Sequence, residues 1–261
     1  MTRTVAVANQ KGGVGKTTTS VNVAAGLAKA GRRVLLVDLD PQGNATMGSG
    51  IDKRKVTRTV YHALLGLGDI GTIRLPSPAG GYDLVPANRD LAGAEVELVD
   101  LPNREARLRS ALERIAPEYD FVFIDCPPSL SLLTLNAFAA ADEVLIPMQC
   151  EYYALEGLSD LVGTIKRVRA NINPRLEIAG LLRTMYDARN TLSHQVSQQL
   201  EEHFGDKVYR TLVPRNVRLA EAPSFGAPAV VWDSSSKGAQ AYLALADEIL
   251  ARAGFLDGKA A

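Results

Sequence analysis

The feature that most constrains the fold of this chain is a glycine-rich segment, Lys11-Gly12-Gly13-Val14-Gly15-Lys16-Thr17-Thr18. It follows the apolar run 5–8 and precedes an amphipathic stretch at 19–30. This order of strand, glycine loop and helix is typical of a loop that binds phosphate. We therefore predict an α/β fold of the P-loop NTPase type.

The residue types of this segment suit phosphate binding. Glycines leave backbone N–H groups free to converge on an anion, and the start of the following helix adds partial positive charge. Lys16 is expected to reach the β- and γ-phosphates, and the Thr17 hydroxyl to ligate Mg²⁺. Gln10 replaces the first glycine of the usual pattern G-x-x-x-x-G-K-[ST], and Lys11 adds a second lysine. A glycine turn with incidental lysines is the alternative, which the flanking pattern disfavours.

Composition sets further limits on function. The two cysteines, Cys126 and Cys150, are too few for a disulfide framework among 261 residues and suit a reducing cytosol. An iron–sulfur cluster takes four thiolates, and buried free thiols are the favoured alternative. Lys plus Arg and Asp plus Glu both number 29, so polyanion binding requires a local patch. No apolar run approaches the ~18 residues that a membrane-spanning helix needs.

Short apolar runs alternate with helical patterns, which predicts a mostly parallel, twisted β-sheet with helices on both faces. Strands are predicted at 4–7, 33–37, 83–85, 121–124, 143–147, 178–182, 208–211 and 229–231. Helices are predicted at 17–30, 59–65, 104–115, 131–140, 155–172, 191–203 and 237–253. Because no repeat or linker interrupts the pattern, we predict a single domain over residues 1–261.

Two acidic segments follow predicted strands. Asp38 and Asp40 come after the second strand, and Asp125 ends a later one. Ligands bind at the carboxyl ends of parallel strands. We therefore expect Asp125 to hold Mg²⁺ or its water shell, and Asp40 to orient or deprotonate an attacking water. The alternative is that these acids cap helices or form turns.

The sequence carries five motifs: NQKGGVGKTT at 9–18, DLDPQGN at 38–44, IDCPPS at 124–129, QCEYYALEG at 149–157 and PRNVRLAEAPS at 214–224. Together they resemble the ParA/Soj family of chromosome-partitioning ATPases, which have a deviant Walker A loop. The first three motifs also fit the wider deviant Walker A group, and the last two narrow the resemblance to ParA. Since the chain begins three residues before its first predicted strand, we expect the short form without an N-terminal helix-turn-helix domain.

The resemblance implies cofactors and roles. ATP with Mg²⁺ is the implied cofactor. Lys11 corresponds to the lysine that reaches the partner subunit's phosphates in an ATP-bound homodimer, and Asp40 to the residue needed for hydrolysis. The implied catalytic residues are Lys11, Lys16 and Asp40. The implied nucleotide contacts are Lys11, Gly12, Gly13, Val14, Gly15, Lys16, Thr17 and Thr18 of the loop, with Glu151, Met185, Pro214, Arg215 and Asn216.

A basic segment is the candidate DNA contact. Residues 207–218 hold four cations and no acid: Lys207, Arg210, Arg215 and Arg218. Such a cluster suits contacts to DNA phosphates, which carry no base specificity, although a solvated basic face has the same composition. In Soj-like proteins, arginines that correspond to Arg189 and Arg218 bind DNA. Lys237 stands where the family often has arginine.

The resemblance implies a dimerising ATPase switch that binds double-stranded DNA non-specifically and segregates chromosomal or plasmid DNA. It also implies stimulation by a ParB/Spo0J-type centromere-binding protein and a cytoplasmic, nucleoid-associated location. One alternative is a MinD-like ATPase cued by a membrane. The C-terminal stretch 237–261 disfavours it, because Asp247 and Glu248 give its polar face the wrong sign for anionic lipid.

We accordingly expect no stable membrane association. The apolar stripe of the same stretch is expected to pack in the core: Tyr242, Leu245, Ala246 and Ile249. The other alternative is a metabolic phosphoryl-transfer enzyme of similar fold. It would need a substrate pocket with convergent polar groups, and the sequence shows no motif for one.

Overall fold

The computed structural model describes residues 2–152 and 154–255. Its strands are β1 (Arg3–Val7), β2 (Val34–Asp38), β3 (Leu75–Pro76), β4 (Asp83–Val85), β5 (Phe121–Asp125), β6 (Glu143–Gln149), β7 (Glu177–Tyr186) and β8 (Val208–Pro214). Within this part of the chain they form one sheet in the order β3-β4-β2-β5-β1-β6-β7-β8. The β3–β4 pair is antiparallel and the other pairs are parallel. The predicted mostly parallel sheet is confirmed.

Helices connect the strands. The α-helices are α1 (Lys16–Lys29), α2 (Asn44–Gly48), α3 (Val60–Leu65), α4 (Ile70–Ile73), α5 (Leu91–Glu97), α6 (Arg107–Leu112), α7 (Leu132–Ala140), α8 (Ala154–Asn171), α9 (Thr191–Phe204), α10 (Val217–Glu221), α11 (Ala229–Trp232) and α12 (Lys237–Arg252). Short 3₁₀ turns lie at Leu98–Asp100, Arg104–Ala106, Ala116–Glu118, Gly205–Lys207 and Ala222–Phe225. The predicted helix 104–115 is thus divided into a 3₁₀ turn followed by α6.

Successive strand residues point to opposite faces of the sheet, and helices cover both faces, so that both are buried. In β5, Val122 and Ile124 belong to one core, whereas Phe121 and Phe123 belong to the other. Helices α3 to α9 pack on the first core, and α1, α2, α11 and α12 pack on the second. Because the central strands are parallel, their carboxyl ends lie together at one end of the sheet, where a ligand site can form.

The predicted strand at 229–231 is wrong. Its two valines suggested a strand, because β-branched residues favour that conformation. Pro228, with φ −59°, instead begins the helical turn α11. The N–H of Val230 then donates to the Asn22 side chain on α1 at 3.1 Å, rather than to a neighbouring strand.

The apolar stripe of α12 is buried, as predicted. Tyr242, Leu245, Ala246 and Ile249 all belong to the second core beside α1. A Cβ at Gly26 of α1 would lie 3.0 Å from the Ala246 side chain, so the two helices are in close contact. Residues 256–261 of the tail lie outside the described residues. Among the residues described, no helix combines the length and the apolar character that a bilayer crossing requires.

Candidate nucleotide-binding site

The glycine loop joins the end of β1 to the start of α1, as the sequence predicts. Gly13 and Gly15 have φ of +73° and +86°, values that residues with a side chain rarely adopt. A Cβ added at Gly12 or Gly13 would meet no atom within 4 Å. The loop therefore has both the backbone conformation and the open space that a phosphate cradle needs.

Lys16 lies inside this loop. Its side chain is mostly buried, and its ammonium donates a hydrogen bond to the carbonyl oxygen of Lys11 at 3.1 Å. Burial lowers the pKa of Lys16, and the negative charges of Asp125 and Asp40 oppose that shift. A bound anion would stabilise the charged lysine further, so the position fits the predicted phosphate contact.

Asp125 ends β5 beneath the loop and is fully buried. Its carboxylate accepts hydrogen bonds from the hydroxyls of Thr17 and Ser20, both at 2.8 Å. Burial and the neighbouring Asp38 raise the pKa of Asp125 to about 8. Mg²⁺ prefers oxygen ligands such as hydroxyls and carboxylates. A bound cation would also compensate the buried negative charge of Asp125. The predicted metal pair therefore fits.

Ser20 is a site residue that is not among the predicted ones. It lies three positions after Thr17 and so on the same face of α1. That spacing was the available signal, because both hydroxyls reach the one carboxylate of Asp125.

Asp40 and Asp38 follow β2 and have different surroundings. Asp40 is 8% exposed, and one carboxylate oxygen accepts the N–H of Gln42 at 2.9 Å. Asp38 is fully buried, and both the N–H and the hydroxyl of Thr46 donate to it at 2.7 Å. Each carboxylate also accepts the N–H of the residue two positions on, so the turn-forming alternative describes both acids, and the catalytic role of Asp40 stays a prediction.

Lys11 points away from the loop. Its ammonium is paired with the Glu151 carboxylate at 2.5 Å, and both side chains are about half exposed. Its N–H is held by the Asn9 side chain at 2.9 Å. The two lysines of the motif therefore occupy different places, one within the cradle and one outside it.

Residues near the carboxyl ends of β6 and β7 also contact the glycine loop. Met185 has φ +49°, a strained value for a residue other than glycine. The Gln149 amide donates to the Gly13 carbonyl at 3.2 Å and to the Met185 sulfur at 2.7 Å. The Thr184 hydroxyl donates to the Val14 carbonyl at 2.7 Å. Gln149 and Thr184 are not among the predicted site residues.

The remaining predicted nucleotide residues follow β8. Pro214 pairs in register with Tyr186 of β7, so it lies one strand away from Met185. Asn216 accepts the N–H of Arg218 at 2.9 Å and caps α10, while Arg215 is exposed. Base and ribose contacts at these positions stay predictions. Tyr153 of the motif 149–157 lies outside the described residues.

The predicted DNA residues Arg189, Arg215, Arg218 and Lys237 are all exposed. Arg189 pairs with Asp187 at 2.9 Å and holds the pKa of that carboxyl at about 2. Arg218 pairs with Glu221 at 3.0 Å and with Asp233 at 3.3 Å. Two of the four cations therefore already have acidic partners within the chain.

The chain matches the family model described as an AAA domain over residues 2–178. It is 55% identical to the chromosome partitioning protein ParA of Myxococcus xanthus, over 96% of this chain and 88% of that protein. It is 54% identical to the sporulation initiation inhibitor protein Soj of Bacillus subtilis, over 96% of this chain and 99% of that protein.

The chain belongs to the ParA/Soj family of chromosome-partitioning ATPases.

Solved structures agree with this family's fold. A structure of cobyrinic acid a,c-diamide synthase from Mycobacterium smegmatis with ADP and magnesium has a TM-score of 0.85 and 41% identity, covering 97% of this chain and 96% of that one. The septum site-determining protein MinD of Pyrococcus horikoshii, complexed with Mg-ADP, has a TM-score of 0.80 and 26% identity, covering 98% of both chains. This ParA/Soj-family chain is therefore an ATPase with the P-loop fold.

Proposed function

We propose that this partitioning ATPase is a switch in which ATP closes two subunits face to face. The closed dimer holds double-stranded DNA through backbone contacts, and hydrolysis of ATP releases it. A ParB/Spo0J-type centromere-binding protein, together with DNA, raises a slow intrinsic turnover. The protein works in the cytoplasm on the nucleoid, with ATP and Mg²⁺ as cofactors, as supported by the magnesium and nucleotides in related structures.

The observation that carries this proposal is the separation of the two loop lysines. The buried Lys16 can serve the phosphates of its own subunit. The half-exposed Lys11 pairs with Glu151 outside the cradle, so it is free to exchange that partner for a phosphate of a second subunit. A loop that needed only one lysine for its own nucleotide would not require this arrangement.

The residues at the strand ends support hydrolysis. Thr17 and Asp125 would hold Mg²⁺, which neutralises charge on the β- and γ-phosphate oxygens when bound. Lys16 would bind the same phosphates from its buried position in the cradle. Asp40 would orient the attacking water or accept its proton, because it retains 8% exposure whereas Asp38 and Asp125 are fully buried.

A metabolic phosphoryl-transfer enzyme would need a substrate cavity with convergent polar groups beside the phosphate loop. A cavity of 320 Å³ does reach Thr17 and Thr18, but among the described residues its lining is mostly apolar and holds no charged side chain, so it is poorly suited to a charged metabolite. The burial of the α12 stripe likewise disfavours a membrane role for the described part of that helix.

DNA binding with ATP, with ADP and without nucleotide, measured across a salt series, tests the proposal. We expect binding with ATP only, no sequence preference, and a steep loss of affinity with salt. Sedimentation under the same conditions should show a dimer only with ATP. Equal DNA affinity in all three nucleotide states would contradict the switch.

A further inference from the structure

Two buried carboxylates end neighbouring strands but hold different elements. Asp38 at the end of β2 pairs in register with Asp125 at the end of β5, and both are fully buried. Asp125 accepts its hydrogen bonds from hydroxyls of α1. Asp38 instead faces residues 39–46, the segment that follows its own strand.

Asp38 holds this segment through three donors. One carboxylate oxygen accepts the N–H of Asp40 at 3.2 Å. The other accepts both the N–H and the hydroxyl of Thr46 at 2.7 Å. A buried carboxylate is tolerated only while hydrogen bonds replace its lost water. The segment therefore cannot move away from Asp38 without leaving a buried charge unpartnered.

Thr46 extends this contact to a second strand. Its hydroxyl donates to Asp38 and accepts the N–H of Ala87, just beyond β4, at 2.9 Å. Gly43, with φ +59°, packs so closely that a Cβ there would lie 2.8 Å from the Ala87 carbonyl oxygen. The segment is thus clamped between the ends of β2 and β4.

The clamped segment carries Asp40. The N–H of Gly43 donates to the main-chain oxygen of Asp40 at 2.8 Å, and the N–H of Gln42 donates to its carboxylate at 2.9 Å. Within the part of the chain that the structure describes, the other carboxylate oxygen of Asp40 accepts no hydrogen bond. One side of this carboxylate is fixed by the turn, and the other side is available to the site.

We propose that Asp38 and Thr46 are positioning residues that fix Asp40 for ATP hydrolysis. The inference rests on the proposed function, in which Asp40 orients the attacking water. Neither Asp38 nor Thr46 belongs to the phosphate loop or to the Mg²⁺ pair, so their loss should lower kcat and leave KM for ATP unchanged. Because a misplacement of about 1 Å can cost roughly 100-fold in rate, we expect kcat to fall about 10- to 100-fold.

The experiment compares two residues with buried hydroxyls, Thr46 within α2 and Ser49 directly after it. Thr46→Val keeps the side-chain shape and removes the hydroxyl, whereas Thr46→Ser keeps the hydroxyl. Ser49→Ala is the matched control, because the Ser49 hydroxyl is equally buried but bonds to the Ala45 carbonyl and to Tyr82, both at 2.7 Å. Steady-state hydrolysis and calorimetric ATP affinity are measured for each protein. We expect the loss of kcat in Thr46→Val alone, with ATP affinity unchanged.

Asp40→Ala in the same assay separates this inference from the proposed function. If Asp40→Ala hydrolyses ATP at the wild-type rate, the role of Asp40 is wrong and the positioning role fails with it. If Asp40→Ala is inactive while Thr46→Val and Ser49→Ala have equal kcat, only the positioning role is overturned. A loss of ATP affinity in Thr46→Val that matches its loss of rate would overturn it as well.

A second variant keeps the inference testable if Thr46→Val does not fold. Asp38→Asn retains the side-chain size but presents an amide N–H₂ to donors that need an acceptor. We expect a lower kcat with ATP affinity unchanged in a chelator, where the effect of Asp38 on the charge of Asp125, and so on Mg²⁺ binding, does not contribute. Wild-type kcat in Asp38→Asn would contradict the inference.

Discussion

The ammonium of Lys16 donates to the carbonyl oxygen of Lys11 at 3.1 Å, while the ammonium of Lys11 is paired outside the loop with Glu151. The side chain of Lys16 therefore contacts the backbone of Lys11, whereas the side chain of Lys11 lies outside the loop. This arrangement lets their functions be separated by single substitutions.

Lys16→Ala should abolish ATP binding, and with it dimerisation and DNA binding. The substitution removes the only lysine side chain that is buried within the described loop. A hydrogen bond to a charged group is worth about 1.5–3 kcal/mol, so we expect at least a tenfold loss of affinity by calorimetry. Lys29→Ala is the control, because Lys29 ends α1 and donates to the Val230 carbonyl. Equal affinity in Lys16→Ala and the control would refute the assignment.

Lys11→Ala should still bind nucleotide as a monomer but fail to form the ATP dimer. Glu151→Gln breaks the same ion pair while keeping Lys11. Its amide oxygen still accepts hydrogen bonds at this implied nucleotide contact, so the variant should dimerise with ATP. Exposed ion pairs contribute only about 0–1 kcal/mol, so neither variant should lose much stability. Sedimentation with ATP distinguishes the two. A Lys11→Ala dimer as stable as the wild-type dimer would exclude a contact across the interface.

The sequence predicted the parts of the site that are local in the chain. The glycine loop, Thr17 and the acids at the ends of β2 and β5 could be placed because each lies within a few residues of a strand or helix boundary. The supporting contacts could not be placed, since they join distant segments. Thr184 is 170 residues from Val14, and Gln149 is 136 residues from Gly13.

The wrong strand at 229–231 has a similar cause. Local β-propensity was outweighed by tertiary contacts of α11 with α1, which depend on Asn22 and cannot be read from neighbouring residues. The short exposed strand β3 was missed for a related reason. It has two residues, one of them Pro76, and its pairing is set by β4 rather than by its own pattern.

Asp125→Asn should remove Mg²⁺-dependent hydrolysis without destabilising the nucleotide-free protein at neutral pH. Asparagine keeps one oxygen as an acceptor and presents its amide N–H₂ to the other hydroxyl, which then accepts. It also removes a carboxyl group whose ionisation is opposed by burial and by Asp38, which raise its pKa to about 8. Thermal unfolding in a chelator should show a Tm equal to or above that of the wild type. Added Mg²⁺ should then increase nucleotide affinity only in the wild type. A Tm several degrees lower in the chelator would contradict this account.

Glu248→Gln should loosen the edge strand β8 from α12. Glu248 accepts the N–H groups of Arg210 and Thr211 at 2.9 and 3.0 Å and pairs with Arg252 at 2.8 Å. Burial opposes ionisation, but these contacts outweigh it and lower the pKa of Glu248 from 4.5. A depressed acid pKa contributes stability above the unfolded pKa, and that stability is lost as pH falls through the folded pKa.

We therefore expect Glu248→Gln to lower the free energy of unfolding by about 1–3 kcal/mol at neutral pH. The difference from the wild type should shrink as the pH falls below about 4. Urea unfolding at several pH values measures it. A difference that stays constant down to acid pH would show that the charge of Glu248 is not responsible.

Arg189 and Arg218 should contact DNA phosphates only after giving up their acidic partners. Arg218→Ala should weaken DNA of every sequence about equally, while ATP binding and dimerisation stay unchanged. Each lost phosphate contact should reduce the log–log salt slope by about 0.9, or about twice that in a two-fold symmetric dimer. Asp187→Asn should have the opposite effect, because it releases Arg189 from its ion pair.

Asp187→Asn paired with Asp187→Asn/Arg189→Ala gives the decisive comparison. If Arg189 binds phosphate, the single variant binds DNA more tightly than the wild type and the double variant loses that gain. A general effect of the removed negative charge would persist in both variants. Unchanged affinity and salt slope in Arg218→Ala and Arg189→Ala would place both arginines on a solvated face and the DNA site elsewhere.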